Sequence, residues 1–345
     1  MFHYGPDSVF NCDIRCGFYQ PRQNTHPSSF SPIGERNSSF VKAIADSHLN
    51  KIGLAPLTVE EQNKERTSWK GDFKTRDFSI SPLIFSNKIF IGGIPMGMTR
   101  ETVICIFQKF DSNLSLQWPD KNSNSISTCP YLRIVMSSNE NVLRLLESCE
   151  FVVVGGCETF NYEILYKNKT RYLQIVPWLS SDSSFIRNPV CISNVETKNP
   201  LCVPNVETKF TVFVGALHGR MHAKAIAQIF DDIFGDVKRV KIDTDEHDYP
   251  TGSGRVTFGN IESFKSAVLS NFIQIDSKKV KKRIQIEPCI DGQSCCICMD
   301  ENVPNFCKNL DCFNYYCNSC WLIRHQPAKG IILDHSPIRR KSKNV

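Results

Sequence analysis

Eight of the nine cysteine and histidine side chains within residues 295–335 fall at ligand spacing: Cys295-x2-Cys298, Cys307-x4-Cys312, Cys317-x2-Cys320, His325 and His335. Their spacing constrains the fold more than any other feature of the chain. About 40 residues with little apolar content cannot close a hydrophobic core unaided, whereas thiolates and imidazoles in such pairs hold structural zinc, four to an ion. Eight ligands make two tetrahedral sites. An interleaved arrangement joins Cys295 and Cys298 to Cys317 and Cys320, and Cys307 and Cys312 to His325 and His335. Cys296 is the spare, a local alternative ligand or a free thiol. Protein ligands fill every position, which leaves none for a catalytic water. No P-loop, nucleophile elbow or His-Glu-x-x-His motif occurs. The expectation is a non-enzyme with two structural zinc ions and no small-molecule substrate.

Cysteine usage also points to a compartment. Seven of the 16 cysteines lie between residues 295 and 320 and the rest are scattered singly. No basic-then-apolar leader opens the sequence, so clustered cysteine means metal in a reducing environment. No run approaches the ~18 apolar residues of a membrane span. A soluble, intracellular protein with no membrane partner is expected.

Ahead of the cluster, one order of elements occurs twice. Residues 88–94 form a strand, Val103, Ile106, Phe107 and Phe110 line a helix capped by Thr99, and strands follow at 114–118 and 131–136. Val142, Leu145, Leu146 and Cys149 repeat the helical spacing before a strand at 172–176, with 151–170 an ambiguous insertion. The second copy has strands at 211–215, 237–243, 255–258 and 280–286. Its helices carry Ile226, Ile229, Phe230 and Ile233, then Phe264, Ala267 and Val268. Two βαββαβ units imply a duplicated α+β sandwich of the ferredoxin-like type.

Such a sheet has one face under helices and one open. With Ile89 and Ile91 inward, Phe90 faces out, and with Leu132, Ile134 and Met136 inward, so do Tyr131 and Arg133. In the second unit Phe213, Ser253 and Arg255 face out. Exposed aromatics on central strands are how an RNA recognition motif stacks unpaired bases, and an Arg guanidinium can both stack and donate. Trp178, where the chain leaves the first sheet, either stacks on a base or pins the linker. The basic run over 278–283 directs Lys281 and Arg283 to the open face, placed for phosphate. Net charge is only +6, with residues 88–290 close to neutral, so base contacts must outweigh bulk charge.

The remaining segments are less regular. Residues 1–85 are Ser-, Asn- and Pro-rich and read as a largely disordered regulatory segment, apart from a short helix after Thr58,. Between the units, the stretch from Cys191 to Lys198 nearly repeats from Cys202 to Lys209, and the expected consequence is greater reach between two domains. The basic tail, with Arg339, Arg340, Lys341 and Lys343, is expected to be unfolded and available to RNA or an import factor.

These residues resemble the cytoplasmic polyadenylation element-binding protein family over about residues 86–340. The resemblance is carried by Phe213-Val214-Gly215-Ala216-Leu217-His218-Gly219, Ile242-Asp243-Thr244-Asp245 with Tyr249-Pro250, and the stretch from Gly252 to Phe258. Phe90-Ile91-Gly92-Gly93, Trp118-Pro119, Ile175-Val176-Pro177-Trp178, Cys320-Trp321 with Arg324-His325, and His335-Ser336-Pro337 add to it. The resemblance implies RNA recognition motifs at 86–180 and 210–289, a linker at 181–209 and a ZZ-type zinc domain at 290–340. It implies binding to single-stranded U-rich elements, of the UUUUAU kind, in mRNA 3′ untranslated regions. Translation and polyadenylation or deadenylation factors would be the protein partners, in the cytoplasm of germ cells, with shuttling through the nucleus as an extension. Cys129-Pro130 and Arg133 depart from the family pattern in the first motif. The competing reading is a protein-interaction adaptor whose sheets bind proteins. A ubiquitin ligase with a RING domain fits the Cys307-x4-Cys312 spacing poorly.

Overall fold

The computed structural model describes residues 68–73, 83–118, 129–154, 157–187, 208–278, 280–301, 303–325 and 335–339. The helix expected after Thr58, most of the duplicated linker stretch and the tail beyond Arg339 lie outside these residues. β1 (Ser68–Lys70) precedes the first βαββαβ unit in the chain but belongs to the second sheet.

The first unit runs β2 (Lys88–Gly92), α1 (Arg100–Phe107), β3 (Ser115–Gln117), β4 (Tyr131–Val135), α2 (Asn139–Glu147), β5 (Glu150–Val154), β6 (Cys157–Tyr166) and β7 (Lys169–Val176). Its strand order is β3-β4-β2-β7-β6-β5. The Thr99 hydroxyl accepts the Thr102 N–H to start α1, and Ser138 does the same for α2 through Asn141,. Ile89, Ile91, Leu132, Ile134, Val103, Phe107 and Leu145 share one buried core. The ambiguous stretch proves to be a hairpin that widens this sheet by β5 and β6. Phe160, Tyr162 and Ile164 alternate there with Asn161 and Glu163. The β6–β7 turn places Lys167 and Asn168 at φ 49° and 57°, the left-handed pair that matches the twist of a two-residue hairpin.

The second unit runs β8 (Ser184–Ile186), β9 (Thr211–Gly215), α3 (Ala223–Phe234), β10 (Val237–Thr244), β11 (Pro250–Phe258), α4 (Ile261–Ser270), β12 (Phe272–Asp276) and β13 (Lys281–Pro288). Its sheet has the order β1-β12-β13-β9-β11-β10-β8. The inner strands β13-β9-β11-β10 are the repeat unit. The outermost strands come from the chain on either side of the first domain. β1 runs parallel to β12 with Trp69 opposite Ile275, and β8 runs antiparallel to β10 with Phe185 opposite Val240.

Both edge strands correct the sequence reading. Residues 68–73 lie within the segment expected to be unfolded, yet Trp69 and Phe73 are buried in the second core, and the Trp69 indole N–H donates to Asp232 on α3 at 2.9 Å. Burial of two large aromatics supplies what a short polar segment otherwise lacks. The expected linker likewise begins with a strand of the second sheet. Phe210, just ahead of β9, also packs on the second core. Residues 188–207 therefore join two points of one domain, and the expectation that their duplication adds reach between domains is overturned.

The C-terminal segment adds β14 (Asn305–Cys307), β15 (Tyr315–Tyr316), α5 (Asn318–His325) and β16 (Pro337–Arg339), with strand order β15-β14-β16. It is not a free-standing bead. Phe264 of α4 meets Phe306 and Phe313 edge-on, at 6.4 and 5.8 Å between ring centroids. The apolar residues of this segment are continuous with the core of the second unit.

Candidate nucleic-acid interface and metal centre

On the open face of the first sheet, β2 and β4 pair with Gly92 opposite Tyr131 and Phe90 opposite Arg133. The glycine leaves space above the sheet, and the Phe90 and Tyr131 rings lie stacked at 5.5 Å and 21°. Both are partly exposed. Arg133 faces the same way, but its guanidinium is 6.0 Å from the ring of Tyr249, which follows the β10–β11 turn of the second domain.

That turn is docked on the first domain. Lys88 pairs with Asp245 at 2.8 Å, both side chains largely covered, and the Ser86 hydroxyl donates to the His247 carbonyl at 2.6 Å. Burial alone would raise the Asp245 pKa. Lys88 and the N–H groups of His247 and Tyr249 outweigh it and hold the carboxyl below the ordinary range,. Asp245 and Tyr249 are thus residues of a domain–domain contact, a role that no local pattern in the sequence signals.

On the second sheet, Phe213 lies at the centre, directly opposite Arg255 on β11 and Glu287 on β13. Arg255 is not free. Its Nη1 is 2.5 Å from Asp243 Oδ1, and its Nη2 is 3.7 Å from Asp291. Partial burial works against the charge, but Asp243 leads the groups that raise the Arg255 pKa above its usual value. The Ser253 hydroxyl donates to the second Asp243 oxygen at 2.8 Å. Gly254 makes this geometry attainable, since a Cβ there would come within 2.6 Å of the Lys241 carbonyl,.

Lys281 and Arg283 are exposed on the same face at its β13 side. Lys281 lies 3.3 Å from Asp276, and the Arg283 guanidinium rests on the Phe272 ring at 3.4 Å. Trp178 is elsewhere. It is 1% exposed within the second core, and its indole N–H donates to Ser183 at 3.0 Å. It anchors the connection between the domains and presents no face for a base, so its placement among the RNA-contacting residues is corrected. Sequence reading missed the acidic members of this surface, Asp243, Glu287 and Asp291. The period-2 pattern of β10 would have found Asp243, which alternates with the buried Val240 and Ile242,.

At the C-terminal end the chain gathers two quartets. Cys295, Cys298, Cys317 and Cys320 place their sulfur atoms within 4.8 Å of one another, and Cys307, Cys312, His325 and His335 do likewise. A short turn brings Cys295 and Cys298 together, while Cys317 and Cys320 flank the start of α5. His325 ends α5, Cys307 ends β14 and His335 precedes β16. The donor sets fit zinc. His325 Nδ1 lies 3.0 Å from the Trp321 carbonyl, so it donates there, and Nε2 is buried without a hydrogen-bond partner. An imidazole oriented in this way keeps its free lone pair for a metal. Burial, aided by the neighbouring Cys312, pushes the Cys307 thiol up to about 11, a cost of clustering thiols that a cation removes. Cys296 belongs to neither quartet.

Comparison with known proteins agrees with this layout. RNA recognition motif models match residues 86–177 and 212–281, and the model of the cytoplasmic polyadenylation element-binding protein ZZ domain matches 282–341. Cytoplasmic polyadenylation element-binding protein 1 of Danio rerio is 32% identical over 342 residues, covering 92% of this chain and 58% of the relative. Cytoplasmic polyadenylation element-binding protein 3 of Caenorhabditis remanei is 33% identical over 345 residues, covering 88% and 43%. The translational regulator orb2 of Drosophila melanogaster is 28% identical over 250 residues, covering 70% and 33%. The chain spans about half the length, or less, of these curated relatives.

Proposed function

Since this chain belongs to the cytoplasmic polyadenylation element-binding protein family, we propose that it is a non-catalytic mRNA-binding regulator of translation. It takes single-stranded U-rich elements of the UUUUAU kind, in 3′ untranslated regions, across its two open sheet faces. The observation that carries this reading is the pair of aromatic platforms, Phe90 stacked with Tyr131 on one sheet and Phe213 beside Arg255 on the other. Stacking tolerates any base, and the fixed donors and acceptors around Phe213 supply the choice among them. The partners in this reading are factors that lengthen or shorten poly(A) tails, met in the cytoplasm of germ cells.

The C-terminal domain has a structural part in the same proposal. Two zinc ions are held, one by Cys295, Cys298, Cys317 and Cys320 and one by Cys307, Cys312, His325 and His335. Bound zinc supplies coordination bonds in place of an extended apolar core.

Fluorescence anisotropy of the full chain with UUUUAU, a scrambled RNA and the same sequence as DNA tests the function. The U-rich RNA is expected to bind tightest, and Phe213→Ala to weaken it by on the order of 1–3 kcal/mol with the circular dichroism spectrum intact. Equal, weak binding to all three probes would replace this reading with that of a protein adaptor.

A further inference from the structure

Arg255 is the one basic side chain directly beside Phe213, and an unpaired guanidinium there would serve any phosphate that came near,. The second sheet withholds it. Asp243 uses both carboxylate oxygens on this strand, one on the Arg255 guanidinium at 2.5 Å and one on the Ser253 hydroxyl at 2.8 Å. Asp291 lies 3.7 Å from the other terminal nitrogen, and Glu287 flanks Phe213 on its far side. The guanidinium is held by one edge and its charge is balanced locally. The Cys289 thiol is a further hydrogen-bond partner, and the N–H groups that these partners leave are the ones a base can use,.

We infer that Asp243 is a positioning residue that turns Arg255 to bases instead of phosphates. By orienting Arg255 and Ser253 together, it sets guanidinium donors and a hydroxyl acceptor beside the Phe213 ring, for a base that carries a ring carbonyl oxygen next to a ring N–H, the chemistry of uracil or guanine,. By cancelling the charge of Arg255, it denies that side chain to the backbone. The inference rests on the RNA-binding reading and deepens it. Phosphate contact then falls to exposed cations at the β13 side of the sheet, Lys281 and Arg283.

Counterion release separates the two roles of an arginine. Each phosphate neutralised on a single strand steepens the dependence of log K on log salt by about 0.7. Anisotropy titrations of the full chain with UUUUAU and scrambled RNA, run from low to moderate salt, therefore read the position of Arg255. Asp243→Asn is expected to steepen the salt slope by about 0.7 and to cut the preference for U-rich over scrambled RNA by on the order of ten-fold. A purely structural Asp243 would leave both unchanged in a folded variant, and that result overturns the inference.

Arg255→Ala gives an independent reading should Asp243→Asn fail to fold. It is expected to reduce the sequence preference with the slope unchanged. A slope shallower by about 0.7 would show that Arg255 already grips phosphate in the native protein, which also overturns the inference. Wild-type protein that prefers none of the probes would instead sink the RNA-binding reading, and this one with it.

Discussion

Removing the Trp69 side chain tests whether a segment ahead of the first domain is part of the second. Trp69 is 6% exposed, its indole N–H is bonded to Asp232, and the following Phe73 is 4% exposed beside His222. The backbone turns away at Gly71, where a Cβ would strike the indole at 2.9 Å. Truncating a buried tryptophan costs about 3–5 kcal/mol when the surroundings cannot collapse. Here the segment can detach, so the lower figure applies, about 3 kcal/mol. For a unit of this size that lowers the melting temperature by on the order of 10 °C.

The assay is thermal unfolding of Trp69→Ala followed by near-ultraviolet circular dichroism, with hydrogen exchange to locate the change. Amides of β12 should lose protection, because β1 pairs with that strand from Ser68 opposite Gln274 to Lys70 opposite Asp276. Amides of β2 and β4 in the first domain should not. Trp69→Phe keeps most of the buried area and loses the hydrogen bond, so about 1 kcal/mol is expected. Unchanged melting together with unchanged β12 protection would refute the reasoning and reduce β1 to an incidental contact.

Deleting residues 191–201, one copy of the linker repeat, should leave U-rich RNA affinity within about two-fold, since β8 and Phe210 already lie on the second domain,; a ten-fold loss in the anisotropy assay would contradict this. Chelation is expected to unfold residues 291–339 and, through the shared packing of Phe264 with Phe306 and Phe313, to lower the melting temperature of the second domain while the first is unaffected. Equal melting of the second domain with and without chelator would count against a shared core. The second domain should also lose stability as pH falls from about 6.5 to about 4. Burial first, then Arg220 and Lys282, hold His218 down to about 4, and its Nδ1 accepts the Arg220 N–H at 3.2 Å. The unfolded chain gains its proton near 6.5 and the native protein resists until about 4, so the loss accrues between the two and is flat below. It is on the order of 2 kcal/mol after allowing for partial exposure, and His218→Gln should flatten the denaturation profile over that window.

Long-period patterns were legible and isolated anchors were not. The strands at Lys88–Gly92 and Thr211–Gly215 alternate cleanly, and the helices carry apolar residues at helical spacing, so the βαββαβ order of both units can be read, whereas β12 was missed and β5 and β6 stayed ambiguous. The grouping of Cys and His into two sets follows from short spacings that leave few ways to make tetrahedra. β1 and β8 are three residues each, too short for any period, and they exist because Trp69 and Phe185 find a distant core. Trp178 illustrates the same limit. An aromatic at a domain exit reads equally as a ring for a base or a plug for a gap, and only the tertiary packing around its indole decides.

The same packing changes how the two open sheet faces relate. The chain enters the second sheet at β1, leaves to build the first domain, and returns to the opposite edge at β8. Lys88, Ser86 and Arg133 of the first domain meet Asp245, His247 and Tyr249 at the β10–β11 turn. A first domain tied to its neighbour at both ends and held at a third point has little freedom to search for bases on its own. Ordering two tethered modules on one strand is an entropic cost that preorganisation removes from the binding step. On this account the gain from joining the domains comes from their fixed geometry, and a longer connector has no lever on it.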